Sequence, residues 1–542
     1  MRDGRRPPGP RRRPHRGQVP GAAVPGVPRQ RAALHRRPGA GRAGHRAQRG
    51  DDHGELPGRP DAAARHPADR HDPRAARART RCADAHQDRR AAGVADADHA
   101  ADVLAPPPHR RTGPPVAAGA ARRHRRGPGG PAGIAGVDGW HQENRFLLSH
   151  RTPYGRGMQR VLVVGGGIGG LATATALAQR GVEVVLVERK PEFTVYGVGL
   201  GQPANALRVL DAIGVLDDVL DAGFAFDRIR IHDYDRVLIA EHRFLLGGAG
   251  LPAMSALPRK DLHRILVAAT RAAGVDIRLG TVVADLVKDG PSVHVTFDDG
   301  RTGDFDLVVG FDGVKSTTRH ELYGRACEPV PAGYSAWRTI VERPADVTCM
   351  EFYQGLGSKT GVMPLNEKQM YLFHIRPEPG RPRFDPADFC ELLRDRLAGY
   401  GGLAAEIRDT LSTDLEIAYS PLEVTLVPPP WHRGRLVIAG DAAHPYPPHL
   451  TQGSAMALED GMVLAEEAVS GKPVDQLLAS YQERRYPRCA FVYSFSHQML
   501  QTEQSITTQA QLDAARTELA ANVSTRLAAA DRFLDLPAFG SG

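Results

Sequence analysis

The segment from Val161 to Glu188 constrains the fold more than any other. Four apolar β-formers, Val161 to Val164, run into Gly165-Gly166-Gly167-Ile168-Gly169-Gly170. A helix-forming run, Leu171 to Arg180, follows, and Val182 to Val187 gives a second strand that ends in Glu188. Each residue type has a reason in that order: Gly165 permits the tight turn, Gly167 lets the backbone approach a pyrophosphate, and Gly170 lets the helix pack closely on the strand. The phosphates then rest on the helix N-terminus, where unpaired N–H groups point at them. Glu188, 18 residues after Gly170, stands where a carboxylate accepts hydrogen bonds from both ribose hydroxyls. Its charge disfavours a 2′-phosphate, so FAD or NAD is expected here rather than NADP. The same glycines argue against taking Val161 to Ala178 for a membrane span or signal segment.

Two further turns follow strand-like runs. Asp306 to Val309 enters Gly310-Phe311-Asp312-Gly313-Val314-Lys315-Ser316-Thr317-Thr318-Arg319. Arg435 to Ala439 enters Gly440-Asp441-Ala442-Ala443-His444-Pro445, then Pro448, Gln452 and Gly453, with a predicted helix over Ser454 to Ala468 that carries Glu459 and Asp460. An Asp-Gly after a strand is by itself an ordinary turn. Three such pieces in this order predict an α/β fold, with a Rossmann-like dinucleotide-binding domain interleaved with a β-rich layer and followed by a C-terminal helical region; the resemblance given below implies that these are an FAD-binding domain and a β-rich substrate domain. The cofactor domain is expected over 158–475. The β layer inserted in it is expected over about 330–424, where Met370 to His374 and Leu415 to Tyr419 alternate apolar and polar residues. Residues 476–542 form the helical region, patterned most clearly from Leu512 to Leu534.

Charge is divided unevenly. Residues 1–157 carry 32 Arg, no Lys and 14 acidic residues, a balance of +18, whereas the remainder carries 38 basic and 48 acidic residues, or −10. The basic stretch scatters Arg, Ala, Gly, Pro, His and Asp without helical or alternating period, so it cannot bury a core and is expected to be disordered. It reads as a non-native extension rather than a nucleic-acid-binding arm, with Met158, the second methionine of the chain, as the expected natural start. No nucleic-acid or membrane partner is expected. Cys82, Cys327, Cys349, Cys390 and Cys489 show no CxxC pair and no regular spacing. Neither a disulfide framework nor a zinc site is indicated, no metal is expected, and a reducing cytoplasm fits.

On these motifs the chain resembles the FAD-dependent aromatic hydroxylases, the family of para-hydroxybenzoate hydroxylase and, more closely, the salicylate-hydroxylase-like group A flavoprotein monooxygenases. The likeness covers about residues 158 to 500. The resemblance implies FAD as cofactor, NADH or NADPH as co-substrate, and hydroxylation of a small aromatic substrate by O2 through a flavin C4a-hydroperoxide. It implies FAD contacts from Gly165, Gly167, Gly170 and Glu188, from Arg259 in Pro258-Arg259-Lys260-Asp261-Leu262, and from the Val283 backbone toward the adenine. Asp312 and Gly313 are implied for both FAD and NAD(P)H phosphates, Gly440 and Asp441 for the ribityl side, and Pro448 and Gly453 for the ring. The helix that starts there would aim its positive end at the flavin pyrimidine and stabilise an anionic reduced flavin. A loop from Gly197 to Pro203 is expected against the ring. The sequence departs from the family at Thr451-Gln452-Gly453, where Gly-Gln-Gly is usual; a β-branched residue there restricts φ and crowds the ring edge.

Ring hydroxylation gains from a base that deprotonates a phenol and from a cation that fixes a carboxylate. The candidates are His449, beside Pro448, and Arg338 in Ser335-Ala336-Trp337-Arg338. Tyr334, Trp337, Tyr353 and His374 are more readily core residues than catalysts. The alternatives are another FAD-dependent oxidoreductase on the same scaffold, reductase-like or halogenase-like, or a non-catalytic FAD-binding protein. The halogenase pattern Trp-x-Trp-x-Ile-Pro is absent, with only Trp140, Trp337 and Trp431 present. A monomer or homodimer is expected. The identity of the aromatic and the choice between NADH and NADPH stay open.

Overall fold

The structure is a computed structural model and describes residues 158–195, 198–244, 250–288 and 290–540. The basic extension 1–157 and Gly197 lie outside the described residues. Val161, Leu162 and Val163 have no solvent exposure, because their strand is sandwiched by neighbours on both edges and helices on its faces. That strand, Arg160–Val164, pairs in parallel with Glu183–Glu188 on one side and Leu307–Gly310 on the other. Leu436–Ile438 and Asp276–Leu279 extend the parallel sheet, and the short antiparallel strand His432–Arg433 completes six. Continuous apolar runs are what a parallel sheet buried on both faces requires. The helix Ile168–Gln179 connects the first two strands by the crossover that parallel pairing demands. A three-stranded antiparallel sheet, Val283–Val287, Val293–Phe297 and Thr302–Phe305, sits between Asp276–Leu279 and Leu307–Gly310 in the chain.

The substrate layer is a seven-stranded sheet in the order Ala418–Val424, Val330–Glu342, Gln369–Pro377, Lys359–Pro364, Met350–Gln354, Arg228–Asp233, Leu238–Arg243. The expected 330–424 region supplies five of these strands. The other two come from the hairpin 228–243, joined through the parallel pairing of Met350–Gln354 with Arg228–Asp233. Alternation along these strands separates two faces. One face packs Trp337, Val341, Tyr353, Val362 and Leu372 under the helices Phe389–Arg396 and Gly402–Thr410. The opposite face presents Ile229, Ile231, Met350, Phe352, Met363 and Tyr371 toward the cofactor domain. The C-terminal region forms two long helices, Val474–Ser505 and Gln509–Asp535, the second capped by a reciprocal Thr508–Gln511 capping box. Val523 and Leu527 of that helix pack on the inner face of the sheet, so the tail is part of the body. Among the described residues no helix is long and apolar enough to cross a membrane. Among the described residues Cys349, Cys390 and Cys489 are free and buried.

Candidate active site

The glycine turn is built as its order of residues requires. Gly165 has φ +113, and a Cβ on it would lie 2.4 Å from the Phe311 carbonyl oxygen. A Cβ on Gly170 would lie 2.0 Å from the Gly165 carbonyl oxygen, so the helix could not dock. Gly167 has no atom within 4 Å of its Cβ position and faces open space. It caps Ile168–Gln179 with extended backbone and no side-chain cap, which leaves the first helical N–H groups free for a phosphate. The Gly166 peptide is held from both sides: its N–H donates to Glu188 Oε2 at 2.9 Å and its carbonyl accepts from His263 Nε2 at 2.8 Å. Burial lowers the His263 pKa, which keeps the ring neutral beside the loop. Gly280 N–H donates to Lys190 O and Thr281 N–H to Glu188 O, so Val283 emerges at the edge of the sheet where Glu188 ends.

Asp312 turns its carboxylate to its own loop and accepts from Ser316 Oγ, Thr317 Oγ1, Thr318 N–H and Thr318 Oγ1 at 2.5 to 3.0 Å. It orders the start of Thr317–Tyr323 and leaves Gly313, with φ +78 and open space around it, as the part a ligand can approach. Buried Arg319 donates to Ala442 O at 3.0 Å and Val314 O at 2.6 Å, which ties this turn to the third motif. There, Gly440 N–H donates to Asp460 Oδ2 at 2.8 Å. Asp441 faces an open cleft that solvent reaches, with protein around it; desolvation raises its carboxyl pKa against the pull of His444 and Arg259. Arg259, the first residue of helix Arg259–Ala272, faces the same cleft, where desolvation lowers its pKa and Asp441 opposes that shift. Pro448 is exposed and Gly453 begins the helix Gly453–Ala468. An open backbone at Gly167, the Glu188 carboxylate at the end of its strand, Arg259 and Asp441 facing one cleft, and a helix N-terminus at Gly453 together fit a flavin dinucleotide.

Beneath this cleft lies a buried ion network that spacing did not reveal. Arg485 donates to Asp460 Oδ1 at 2.7 Å and to Glu459 Oε2 at 2.5 Å. Arg488 donates to Glu459 Oε1 at 2.7 Å, and Asn205 Nδ2 bridges Gln452 and Glu459 at 3.0 and 2.9 Å. His444 and Arg485 hold the Asp460 carboxyl down to about 2 although burial pushes the other way. The network fixes the loop 440–453 against helix Val474–Ser505. His444, Asp460 and Cys489 bring ligand-type atoms within 4.8 Å of one another, but both Asp460 oxygens are already taken by Gly440, His444 and Arg485.

On the substrate side the two catalytic candidates part company. Arg338 Nη1 donates to Ser420 Oγ at 2.6 Å and also bonds the Tyr371 hydroxyl, within reach of the Arg259 charge. It is not among the residues that line the apolar cavity described next. His449 does line that cavity, together with Met254, Met350, Phe352, Thr451 and Val523. Its side chain is fully buried, and Nε2 lies 3.1 Å from Glu503 Oε2, whose other oxygen accepts from Lys359 Nζ at 2.5 Å. The Lys359 ammonium and His449 overcome burial and hold the Glu503 carboxyl down to about 2. Burial and Lys359 lower the His449 pKa, so the imidazole is neutral. Lys359 and Glu503 were not singled out from the sequence; one is a strand lysine and the other a helix glutamate. Trp337, Tyr353 and His374 point to the outer face or its core, and Tyr334 donates to Gly357 O at 2.8 Å, in keeping with core roles. Thr451 adopts left-handed backbone, φ +57, and its Cγ2 crowds Gly201 in the strand Gly199–Pro203.

The family model for the FAD binding domain matches residues 158–496, well over half of the chain. The chain belongs to the FAD-dependent aromatic-hydroxylase family of flavoprotein monooxygenases. The monooxygenase is 30% identical over 338 residues to 2-heptyl-3-hydroxy-4(1H)-quinolone synthase of Pseudomonas aeruginosa (strain UCBPP-PA14), with 61% of this chain and 86% of that protein covered. It is 32% identical over 352 residues to 3-amino-4-hydroxybenzoate 2-monooxygenase of Streptomyces cremeus, covering 62% and 85%. In fold it is similar to HpxO of Klebsiella pneumoniae complexed with FAD and uric acid, with a TM-score of 0.63 at 22% identity over 71% of this chain and 98% of that one. The monooxygenase therefore binds FAD.

Proposed function

We propose that this monooxygenase hydroxylates an aromatic substrate in the cavity between His449 and the inner face of the seven-stranded sheet, with NADH or NADPH as reductant and O2 as oxidant, in the cytoplasm. The observation that carries the reading is the adjacency of two sites: Thr451 and Gln452 line the cavity and lead directly into the helix whose N-terminus, Gly453, faces the cofactor cleft. FAD, when bound, supplies the redox chemistry and oxygen activation. The chain's own residues do the rest. Gly167 and Glu188 would bind the pyrophosphate and ribose on the turn that Gly165 and Gly170 make possible; Val283, Gly313 and Arg259 would hold the dinucleotide; Gly440 and Asp441 would meet the ribityl side, and Pro448 and Gly453 the ring. Apolar walls keep water from the reacting atoms. His449 accepts the proton of the substrate hydroxyl at Nδ1, which raises electron density on the ring before oxygen transfer. Arg338, held by Ser420 and beside Tyr371, would be the cation that fixes an anionic group of the substrate.

The test is NADH and NADPH oxidation by the FAD-loaded full chain in air, with and without ring compounds, and with product identified by mass. Stimulation coupled to a product heavier by one oxygen supports the reading. Oxidation that never yields such a product, with every ring compound tried, overturns it in favour of a reductase or oxidase on the same scaffold.

A further inference from the structure

One wall of the cavity comes from outside every sequence motif. Leu519, Val523, Leu527, Ala530 and Leu534 of the helix Gln509–Asp535 all line it. At 3.6 residues per turn these positions fall within about 80° of one face of the helix, so a single stripe meets the space. Val523 and Leu527 share a buried cluster with Ile229, Ile231, Met254, Met350 and Phe352, and those residues line the cavity too. Leu534 packs instead in the core of the cofactor domain. The stripe therefore bridges the substrate layer and the cofactor domain.

The helix is fastened along its length. Arg516 pairs with Asp233. Further on, His242 of the edge strand Leu238–Arg243 bonds Ser524 Oγ through Nδ1 at 3.1 Å and Asp531 Oδ2 through Nε2 at 3.0 Å. At the end, Arg208 donates to Asp535 Oδ1 at 2.7 Å and Arg488 donates to Leu534 O at 3.0 Å. A wall held by so many polar contacts does not retreat freely from a ligand. The same ties occupy the charges. Arg208, Lys359, Glu503, Asp531 and Asp535 line the cavity, and each has a partner: Arg208 meets Asp535, Lys359 meets Glu503, and Asp531 meets His242. A charged group laid on the stripe would lose its water and meet no spare counter-ion there, whereas a hydrocarbon group gains by leaving water. The enclosed space is about 100 Å³ within a wider cleft, less than the ~150 Å³ apolar cavity that holds one benzene. Room is the scarce quantity, so the bulk of the wall decides what fits.

Resting on the hydroxylase reading above, we propose that Val523, Leu527 and Ala530 are specificity-determining residues: the substrate carries an uncharged hydrocarbon group that packs on this stripe, and the bulk of these three side chains sets how large that group can be. They touch neither the glycine turn nor the Asp441 loop, so they select among rings without taking part in cofactor binding.

A series of 4-alkylphenols, from methyl to octyl, tests this by calorimetry on the FAD-loaded full chain at pH 7. Affinity is expected to rise about fourfold for each methylene buried, up to the chain length at which the room is used. 4-(Hydroxymethyl)phenol, which puts a hydroxyl where 4-ethylphenol has its methyl, should bind about tenfold more weakly than 4-ethylphenol. Leu527→Ala and Val523→Ala widen the space and should move the limiting chain length up; Ala530→Leu fills it and should move the limit down. Arg532→Ala, exposed on the opposite face of the helix, should leave the limit where it is. The limit compares ligands on one protein, so a loss of folded material in a variant cancels, and FAD content checks the cofactor site. An affinity that does not rise with chain length in the parent, a hydroxymethyl analogue that binds as well as ethylphenol, or a limit that fails to move in opposite directions in the widened and filled variants overturns the proposal. The two readings fail separately. Oxygenated products from ring compounds, with a limit that the helix variants do not move, would leave the hydroxylase and remove this role for the stripe. Opposite shifts of the limit, without an oxygenated product from any ring, would do the reverse.

Discussion

Glu503→Gln is expected to destabilise the protein by about 3 kcal/mol at pH 7, and two routes lead to that figure. The Glu503 carboxyl is held near 2 instead of its ordinary 4.5, and about 1.4 kcal/mol per unit converts the difference to about 3 kcal/mol. Because the folded pKa is the depressed one, this stability is present above the ordinary carboxylate range and fades as pH falls toward 2. Independently, the substitution leaves the Lys359 ammonium, 3% exposed, without its anion, and breaking a buried pair from one side costs about 3–5 kcal/mol. Replacing both charges removes the unpaired ion, so Lys359→Met combined with Glu503→Gln should return to within about 1 kcal/mol of the parent. Urea unfolding of the FAD-saturated full chain, followed by the buried Trp337 and Trp431, measures all four corners of the cycle. A Glu503→Gln midpoint within the equivalent of about 0.5 kcal/mol of the parent would refute the reasoning, as would a double variant that loses the sum of the singles. The same substitution bears on chemistry: the amide that replaces the carboxylate can donate as well as accept, so His449 is no longer fixed with Nδ1 bare, and kcat/KM should fall by about 100-fold.

Three other outcomes are expected. Gly170→Ala should give no soluble FAD-bound protein, because its Cβ meets the Gly165 carbonyl at 2.0 Å, whereas Gly167→Ala should fold normally and lose FAD affinity at least tenfold, since only a ligand occupies that side; FAD content and circular dichroism separate the two, and a Gly167→Ala protein with full FAD affinity would argue against the pyrophosphate position. Burial holds His374 neutral down to about 3, so the unfolded chain alone takes up its proton below 6.5 and stability should fall by about 2 kcal/mol between pH 6.5 and 5; His374→Asn, which keeps a partner for Thr360, should flatten that part of the urea-midpoint profile. Thr451→Gly should raise stability by about 1 kcal/mol, the relief of left-handed strain at φ +57 less the greater freedom of an unfolded glycine, and an unchanged or lower midpoint would show that Thr451 is not strained.

The cofactor half of the molecule was legible because its information is local. Strand, turn, helix and acid follow one another between Val161 and Glu188, and the structure places the helix at Ile168–Gln179 and the second strand at Glu183–Glu188. The turn glycines are fixed by backbone contacts to Phe311 and Gly165, which spacing alone encodes. The substrate layer was legible only where antiparallel neighbours follow in sequence. The hairpin 228–243 escaped because its link to the sheet is a parallel pairing with Met350–Gln354, more than a hundred residues downstream, and nothing local in either strand announces it.

The same distinction explains which site residues could be found. Gly440, Asp441 and Gly453 stand in one turn and at the start of the helix after it, so their spacing alone singled them out as candidates. His449 was singled out as a candidate through its place beside Pro448, but its partners were not: Lys359 and Glu503 are separated from each other by 144 positions and meet only when helix Val474–Ser505 crosses the sheet. Arg485 and Arg488, one helical turn apart, read as an ordinary charged face until Glu459 and Asp460 are packed beneath them. The consequence is physical as well as diagnostic. On the proposed reading, FAD meets backbone-rich turns from three motifs, while the ring substrate meets side chains contributed by distant segments, among them the sheet, the 448–452 loop and the C-terminal helix. Val523 or Leu527 can change on that last helix without touching any residue of the glycine turn or of the Asp441 loop. On that reading substrate class is free to diverge while the flavin site stays constant, and the cavity beside His449, rather than the motifs, sets this chain's specificity.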